Sequence, residues 1–250
     1  MEKIKNKFGL LGKNISYSFS SGYFTEKFKK LNLQEHKYVN FDIPVIQDFL
    51  SVIKTNEHLK GMNVTIPYKQ EVIHYLDALD ETAKDIGAVN TIKFLKNGGL
   101  KGYNTDVYGF ENSIKPFLKP YHTKALILGT GGASKAVAFS LKKNQIDFKF
   151  VSRVPSAENQ ISYNDLSEEI LSEYTVIVNC SPIGTYPNIN DAPNIPYEFI
   201  TEKHLLFDLI YNPEETAFLR NGKKRGAAIK NGYEMLELQA EESWRIWNNF

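Results

Sequence analysis

Short apolar runs and helical stripes alternate along this chain from one end to the other. Lys7 to Leu11 reads as a strand, and Ser21 to Leu31 as a helix striped by Tyr23, Phe24, Phe28 and Leu31. Tyr38 to Phe41 is a second short strand. Pro44 suits the first position of a helix striped by Val45, Phe49, Val52 and Ile53, because that position has no use for the N–H that proline lacks. Gly61 to Ile66 is a strand ended by Pro67, and a helix is predicted from about Tyr68 to Leu76. Asn90 to Phe94 and Leu100 to Tyr103 flank Asn97-Gly98-Gly99, which is a hairpin signal. Val107, Phe110, Ile114 and Phe117 then fall at helical spacing.

The pattern changes character after residue 123. Lys124 to Leu128, Phe148 to Val151, Tyr174 to Cys180 and His204 to Ile210 are nearly continuous apolar runs, with Ala227 to Ile229 a shorter one. Strands apolar on both faces, alternating with helices, predict an α/β fold with a parallel sheet covered on both sides. Thr185 to Pro196 has three prolines, three asparagines and no periodicity, and reads as a mobile surface loop. The last helix, Tyr233 to about Trp247, carries Leu236, Ala240, Trp244 and Trp247 on one side.

Composition narrows the function classes. With 30 Lys plus Arg against 29 Asp plus Glu, the net charge of +1 gives no reason to expect a nucleic-acid or membrane-surface protein. One cysteine, Cys180, excludes a disulfide framework and a thiolate metal site, and the five histidines lack ligand spacing, so no metal is implied. The first residues are charged without an apolar core, and no run approaches the roughly 18 apolar residues of a membrane span. A cytoplasmic protein is expected, either monomer or homodimer.

The glycine cluster behind the Lys124–Leu128 run has the pattern G-x-G-G-x-S, from Gly129, Gly131 and Gly132 through Ala133 to Ser134, and a helical stripe starts at once. A strand, a glycine turn and a helix make the opening of a dinucleotide-binding unit: the backbone can approach a pyrophosphate, and the helix N-terminus faces its charge. An acidic residue after the next strand would hold a ribose 2′-hydroxyl. Ser152 and Arg153 stand there instead, which suits a 2′-phosphate and hence NADP.

Three polar clusters in the first half admit both a folding and a chemical explanation. Ser16 and Ser18 lie two apart and can face one ligand carboxylate, or serve as turn and cap residues. Asn63 and Thr65 share a strand face, and Lys69 follows at the predicted start of a helix, where its charge opposes the dipole; it can also be a solvated lysine. Asn90 and Asn104 mark hairpin ends, and Asp106 can cap the helix beginning at Val107.

Taken in order, Ser16-x-Ser18, Asn-Val-Thr-Ile-Pro-Tyr-Lys at 63–69, Gly-Ala-Val-Asn-Thr at 87–91, Asn-Thr-Asp at 104–106, Gly-Thr-Gly-Gly-Ala-Ser at 129–134 and Gly-Tyr-Glu-Met-Leu-Glu-Leu-Gln-Ala at 232–240 resemble the shikimate dehydrogenase family over essentially the whole chain. The resemblance implies two domains separated by a cleft: residues 1–105 plus 233–250 for substrate, and 106–232 as a Rossmann-type NADP domain. It implies NADPH-dependent, reversible reduction of 3-dehydroshikimate to shikimate in chorismate and aromatic amino acid biosynthesis. Lys69 and Asp106 become the catalytic pair. Ser16, Ser18 and Tyr211 become carboxylate ligands, while Thr65, Asn90, Asp106 and Gln239 hold the ring oxygens. Gly129, Gly131, Gly132, Ala133, Ser134, Ser152, Arg153 and Gly232 become the cofactor contacts. A quinate/shikimate dehydrogenase using NAD is the alternative, against which Arg153 argues. The chain departs from the family pattern at Tyr17 and Phe19 beside the paired serines, at Thr185 in the nicotinamide loop, and at Val154 and Ala157, and from these last two a looser hold on the 2′-phosphate is expected.

Overall fold

The computed structural model describes residues 4–15 and 18–248, and the chain divides into two compact units, 1–105 with 240–250 and 106–239. In the first, β1 (Asn6–Gly12), α1 (Phe19–Lys30), β2 (His36–Asp42), α2 (Phe49–Thr55), β3 (Leu59–Val64), β4 (Ala78–Leu79), α3 (Glu81–Ile86), β5 (Thr91–Phe94) and β6 (Leu100–Tyr103) follow one another. The sheet order is β2-β1-β3-β5-β6-β4. The β1 strand lies parallel to β2 and β3, and the β5–β6 hairpin adds antiparallel to β3.

Period-two alternation sends neighbouring side chains of β1 to opposite cores. Leu11 joins Phe49, Met62, Val64, Val72 and Ile92 on one face. Phe8 and Leu10 join Phe24, Phe28, Tyr38 and Trp247 on the other. Trp247 comes from the far end of the chain and stacks near Phe8 and Phe24, with ring centroids 5.0 and 5.3 Å away.

The segment after Pro67 differs from the predicted helix. It is a turn followed by a single 3-10 stretch, Glu71–Tyr75. Its bonds run from Ile73 N–H to the Gln70 carbonyl and from Leu76 N–H to the Ile73 carbonyl. Adjacent β-branched Val72 and Ile73 disfavour a longer α-helix, and burial of Val72 and Tyr68 fixes the tighter turn instead. The α3 helix has no counterpart in the sequence pattern, because six residues carry too little stripe to read. Asp80 caps it through Ala83 N–H (2.8 Å), and Gly87 ends it at φ +66°.

The second unit comprises α4 (Asp106–Ile114), β7 (Lys124–Leu128), α5 (Gly132–Lys143), β8 (Asp147–Ser152), β9 (Gln160–Ser162), α6 (Glu168–Glu173), β10 (Val176–Asn179), β11 (Leu205–Asp208), α7 (Ala217–Lys223), β12 (Ala228–Lys230) and the first turns of α8 (Tyr233–Asn248). Its sheet is wholly parallel in the order β12-β11-β10-β7-β8-β9. The strand order reverses between β7 and β10, which makes this a doubly wound Rossmann-type sheet with its ligand crevice at the carboxyl ends of those two strands. Side chains of β7 divide between the two covering layers, Ala125 and Ile127 on one side and Leu126 and Leu128 on the other. The expected loop at 185–196 is irregular, yet it does not lie wholly at the surface: Pro193 and Ile195 are buried, and Ile195 belongs to the core.

Candidate active site

In the first unit, the candidate residues gather at the carboxyl ends of β1 and β3. Gly12 ends β1, and a methyl group there would come within 2.6 Å of Thr65 Cγ2 and 2.7 Å of Ile15 Cγ2. Only a glycine lets the chain at the end of β1 lie so close to Thr65 and Ile15. Lys13 N–H donates to the Ile66 carbonyl (3.3 Å), and Thr65 N–H to the Leu11 carbonyl (2.9 Å). Lys69 sits half-buried in the turn that follows, its own carbonyl accepting from Val89 N–H at 2.7 Å. Val64 N–H donates to the Asn90 carbonyl at 2.9 Å, so Thr65, Lys69 and Asn90 are brought together by backbone bonds. Ser18 N-caps α1, its hydroxyl accepting from Ser21 N–H at 3.4 Å, which realises the capping role the sequence allowed. Ser16 lies outside the described residues.

Asn90 is 2% exposed and is aimed by groups that sequence reading missed. Its Oδ1 accepts from Thr105 N–H (2.7 Å), Thr105 Oγ1 (3.1 Å) and Thr91 Oγ1 (3.1 Å). Ser243 Oγ lies 2.8 Å from Thr91 Oγ1 and 3.2 Å from Thr105 Oγ1, and accepts from Asn63 Nδ2 at 2.9 Å. Asn63 Oδ1 accepts from Tyr38 OH (2.8 Å). Such a closed network holds an amide in one orientation, since any rotation orphans a buried partner. Asn63 itself is therefore spent on structure. Thr91 and Ser243 stand 152 positions apart, and no local pattern could have paired them. Asn104 Nδ2 is likewise committed, to the Ala88 carbonyl at 3.0 Å.

In the second unit, Asp106 is buried and is itself the first residue of α4 rather than the residue before it. One turn on, a methyl group at Gly109 would stand 3.1 Å from Gln239 Cβ, so α4 and the first turns of α8 pack backbone to backbone there. Gln239 is buried and its Nε2 donates to the Leu236 carbonyl (2.9 Å).

The glycine turn fits a dinucleotide. Gly129 has φ +101°, a left-handed conformation that favours glycine. Gly131 N-caps α5 without a side-chain hydrogen bond, and a methyl group at Gly131 or Gly132 would meet nothing within 4 Å among the described residues. An open cradle at a helix N-terminus suits a pyrophosphate. Ser134 is buried and donates to the Gly131 carbonyl (2.7 Å), fixing the turn, while Ala133 lies beside it in the first turn of α5. Ser152 ends β8, its hydroxyl accepting from Val154 N–H (3.3 Å), and Arg153 beside it is exposed. Tyr211 is 38% exposed in the loop after β11. Gly232 N–H donates to the Ile210 carbonyl at 3.1 Å, which lays the Gly232 turn beside Tyr211's loop. A methyl group at Gly232 would overlap the Leu209 carbonyl.

The Shikimate dehydrogenase substrate binding domain model matches residues 10–92. The chain is 37% identical over 257 residues to the shikimate dehydrogenase (NADP(+)) of Methanosphaera stadtmanae, covering 96% of this chain and 90% of that protein. It is 36% identical over 262 residues to the corresponding protein of Methanococcus vannielii, with 97% and 91% covered. Among solved structures, a shikimate 5-dehydrogenase from Thermus thermophilus, in complex with NADP(H) and shikimate, aligns with a TM-score of 0.86 at 30% identity, covering 98% of this chain and 94% of that one.

Proposed function

This chain belongs to the shikimate dehydrogenase family, and we propose from that premise how its own residues carry out the reaction. The activity is the NADP-dependent, reversible reduction of 3-dehydroshikimate to shikimate, an oxidoreductase step toward chorismate and the aromatic amino acids. The observation that carries it is the match of 96% of the chain to relatives bearing that activity in their names, with Lys69 and Asp106 both present.

Bound NADPH supplies the hydride. Lys69 gives a proton to the alkoxide that forms at the substrate's C3, and its charge stabilises that oxygen as it develops. Asp106 orients the lysine and accepts from a ring hydroxyl. Asn90, its carbonyl oxygen already claimed by Thr91 and Thr105, offers its amide hydrogens to the substrate with no freedom to flip. Thr65 and Gln239 complete the hold on the ring, and Ser16, Ser18 and Tyr211 bind the carboxylate. In the other half of the site, the Gly129–Ser134 turn receives the pyrophosphate, Gly232 lines the nicotinamide side, and Ser152 with Arg153 receives the 2′-phosphate. Cytoplasmic residence belongs to the same proposal, supported by a lone cysteine that is half-buried, its thiol pushed well above the usual range by burial. Among the described residues no helix is long and apolar enough to cross a membrane.

The test is formation of the reduced nicotinamide (NADPH or NADH), followed by absorbance, from shikimate or quinate with NADP or NAD. The expected ranking of kcat/KM puts shikimate with NADP first. Lys69→Ala should lower kcat by about 10³-fold, the scale of a lost general acid, with little change in the KM for shikimate. Normal turnover in that variant ends the assignment.

A further inference from the structure

At the end of β11 lies a carboxylate that the chemistry above does not use. Asp208 has no exposed surface. Its Oδ1 accepts from Asn179 Nδ2 (3.0 Å) and Ile210 N–H (3.0 Å), and its Oδ2 from Thr216 Oγ1 (2.6 Å). Each partner governs a different stretch of chain. Asn179 ends β10 opposite Asp208, and its Oδ1 accepts from both Ser181 N–H (3.0 Å) and Ser181 Oγ (2.7 Å). Ile210 begins the loop that carries Tyr211. Thr216 caps α7 through Leu219 N–H (3.3 Å).

These loops line the crevice where the strand order reverses. A methyl group at Gly129 would lie 3.4 Å from Ser181 N, so the Asn179–Ser181 turn rests against the glycine turn itself. Dinucleotides lie across this crevice. With the adenosine ribose at the end of β8, beside Arg153, the nicotinamide half extends over the ends of β10 and β11. We propose that Asp208 is a positioning residue for that half of the cofactor: one buried carboxylate ties the 180–184 loop to the 209–216 loop and so shapes the wall against which the nicotinamide rests. This rests on the NADP-dependent reading above.

A carboxylate suits the task because it accepts three donors, whereas an amide in its place turns hydrogens toward at least one of them. The titratable groups facing it are the Cys180 thiol, from the end of β10, and the Tyr197 hydroxyl, from the segment before β11; burial raises both and keeps them neutral. Burial pushes Asp208 up to about 6, against the pull of its three hydrogen bonds, so mild acid protonates it and slackens the tie.

The experiment is NADPH binding to the full chain, read by coenzyme fluorescence between pH 5 and about 8, the span around a carboxyl raised in this way. Wild type should lose affinity on the acid side with a midpoint near that of Asp208. Asp208→Asn should weaken binding at neutral pH by roughly tenfold, the cost of an orphaned buried donor, lower kcat, and flatten the acid limb. Thr216→Val removes a donor to the ionised form and should move the limb to higher pH, while Thr216→Ser restores it. A role confined to folding would lower stability without moving the limb. Binding within twofold of wild type in Asp208→Asn, or, should that variant not fold, an unmoved limb in Thr216→Val, overturns the proposal. A wild type that binds NADPH with this pH dependence yet leaves shikimate unoxidised overturns the activity while supporting this role.

Discussion

Gly61 shows how much a missing methyl group can decide. It lies in the middle of β3, where a Cβ would stand only 2.3 to 2.5 Å from three atoms of the Trp247 indole ring. The indole N–H donates to the Ile92 carbonyl on the neighbouring strand at 3.1 Å, so the ring cannot slide aside without giving up a buried bond. Gly61→Ala should cost about 1–3 kcal/mol of overpacking, seen as a lower urea midpoint. Trp247→Ala should cost about 3–5 kcal/mol. A Gly61→Ala variant as stable as wild type would mean that the indole is not wedged. From sequence, Gly61 reads merely as the first residue of a strand. Its reason for being glycine lies 186 positions away (247 less 61). The same holds for Asn90: its identity was legible in the Gly-Ala-Val-Asn-Thr motif, but the hydroxyls that aim it were not, because serine and threonine in a helix or strand carry no pattern of their own.

At the scale of elements, two histidines fasten the amino-end side of the second sheet. His122 Nδ1 accepts from Lys119 N–H (3.0 Å), and its Nε2 donates to the Lys203 carbonyl (3.0 Å). His204 repeats the arrangement with Thr201 N–H (3.0 Å) and the Leu171 carbonyl (2.9 Å). Both rings must be neutral, since protonated Nδ1 would face another N–H. Burial lowers the pKa of each. The unfolded chain then binds more protons, so these latches contribute fully above about pH 6.5 and are lost as pH falls through the lower folded values. The gap in urea midpoint between wild type and His122→Gln should accordingly be widest above neutrality and narrow by pH 5; a constant gap would rule the latch out. Elements with strong apolar runs were readable to within a residue or two, except the helix expected from Pro44: a 3-10 turn at Ile46–Asp48 comes first, and α2 begins only at Phe49. Those held by single caps or by i to i+3 bonds, such as α3 and Glu71–Tyr75, were not, because their stability comes from neighbours rather than from a repeating stripe.

Across the whole molecule, two sheets of different construction each have their own cores, mixed in the first unit and purely parallel in the second. Alternation of buried strands with helices made the parallel sheet legible, and the ordered motifs made the family legible. The strand order within the first sheet was not, since β4 is two residues long and pairs with β6 after an intervening helix and strand. A ligand that binds the folded second unit should stabilise the chain by mass action. At a hundred times its Kd, NADPH should add about 2.7 kcal/mol and raise the unfolding temperature by roughly 5–10 °C in calorimetry. NAD at the same concentration should raise it less, because it offers Arg153 no phosphate. Equal shifts would contradict the reading of Ser152 and Arg153.

The last helix carries a timing consequence for the newborn chain. Ser243 and Trp247 complete a core and a hydroxyl cluster whose other members, Phe8 through Thr105, are made first. Ribosomes add about 5–20 residues per second, so that early half waits on the order of ten seconds with aromatic surface uncovered. During translation it is the older part of the polypeptide, not the younger, that most needs a chaperone's shelter.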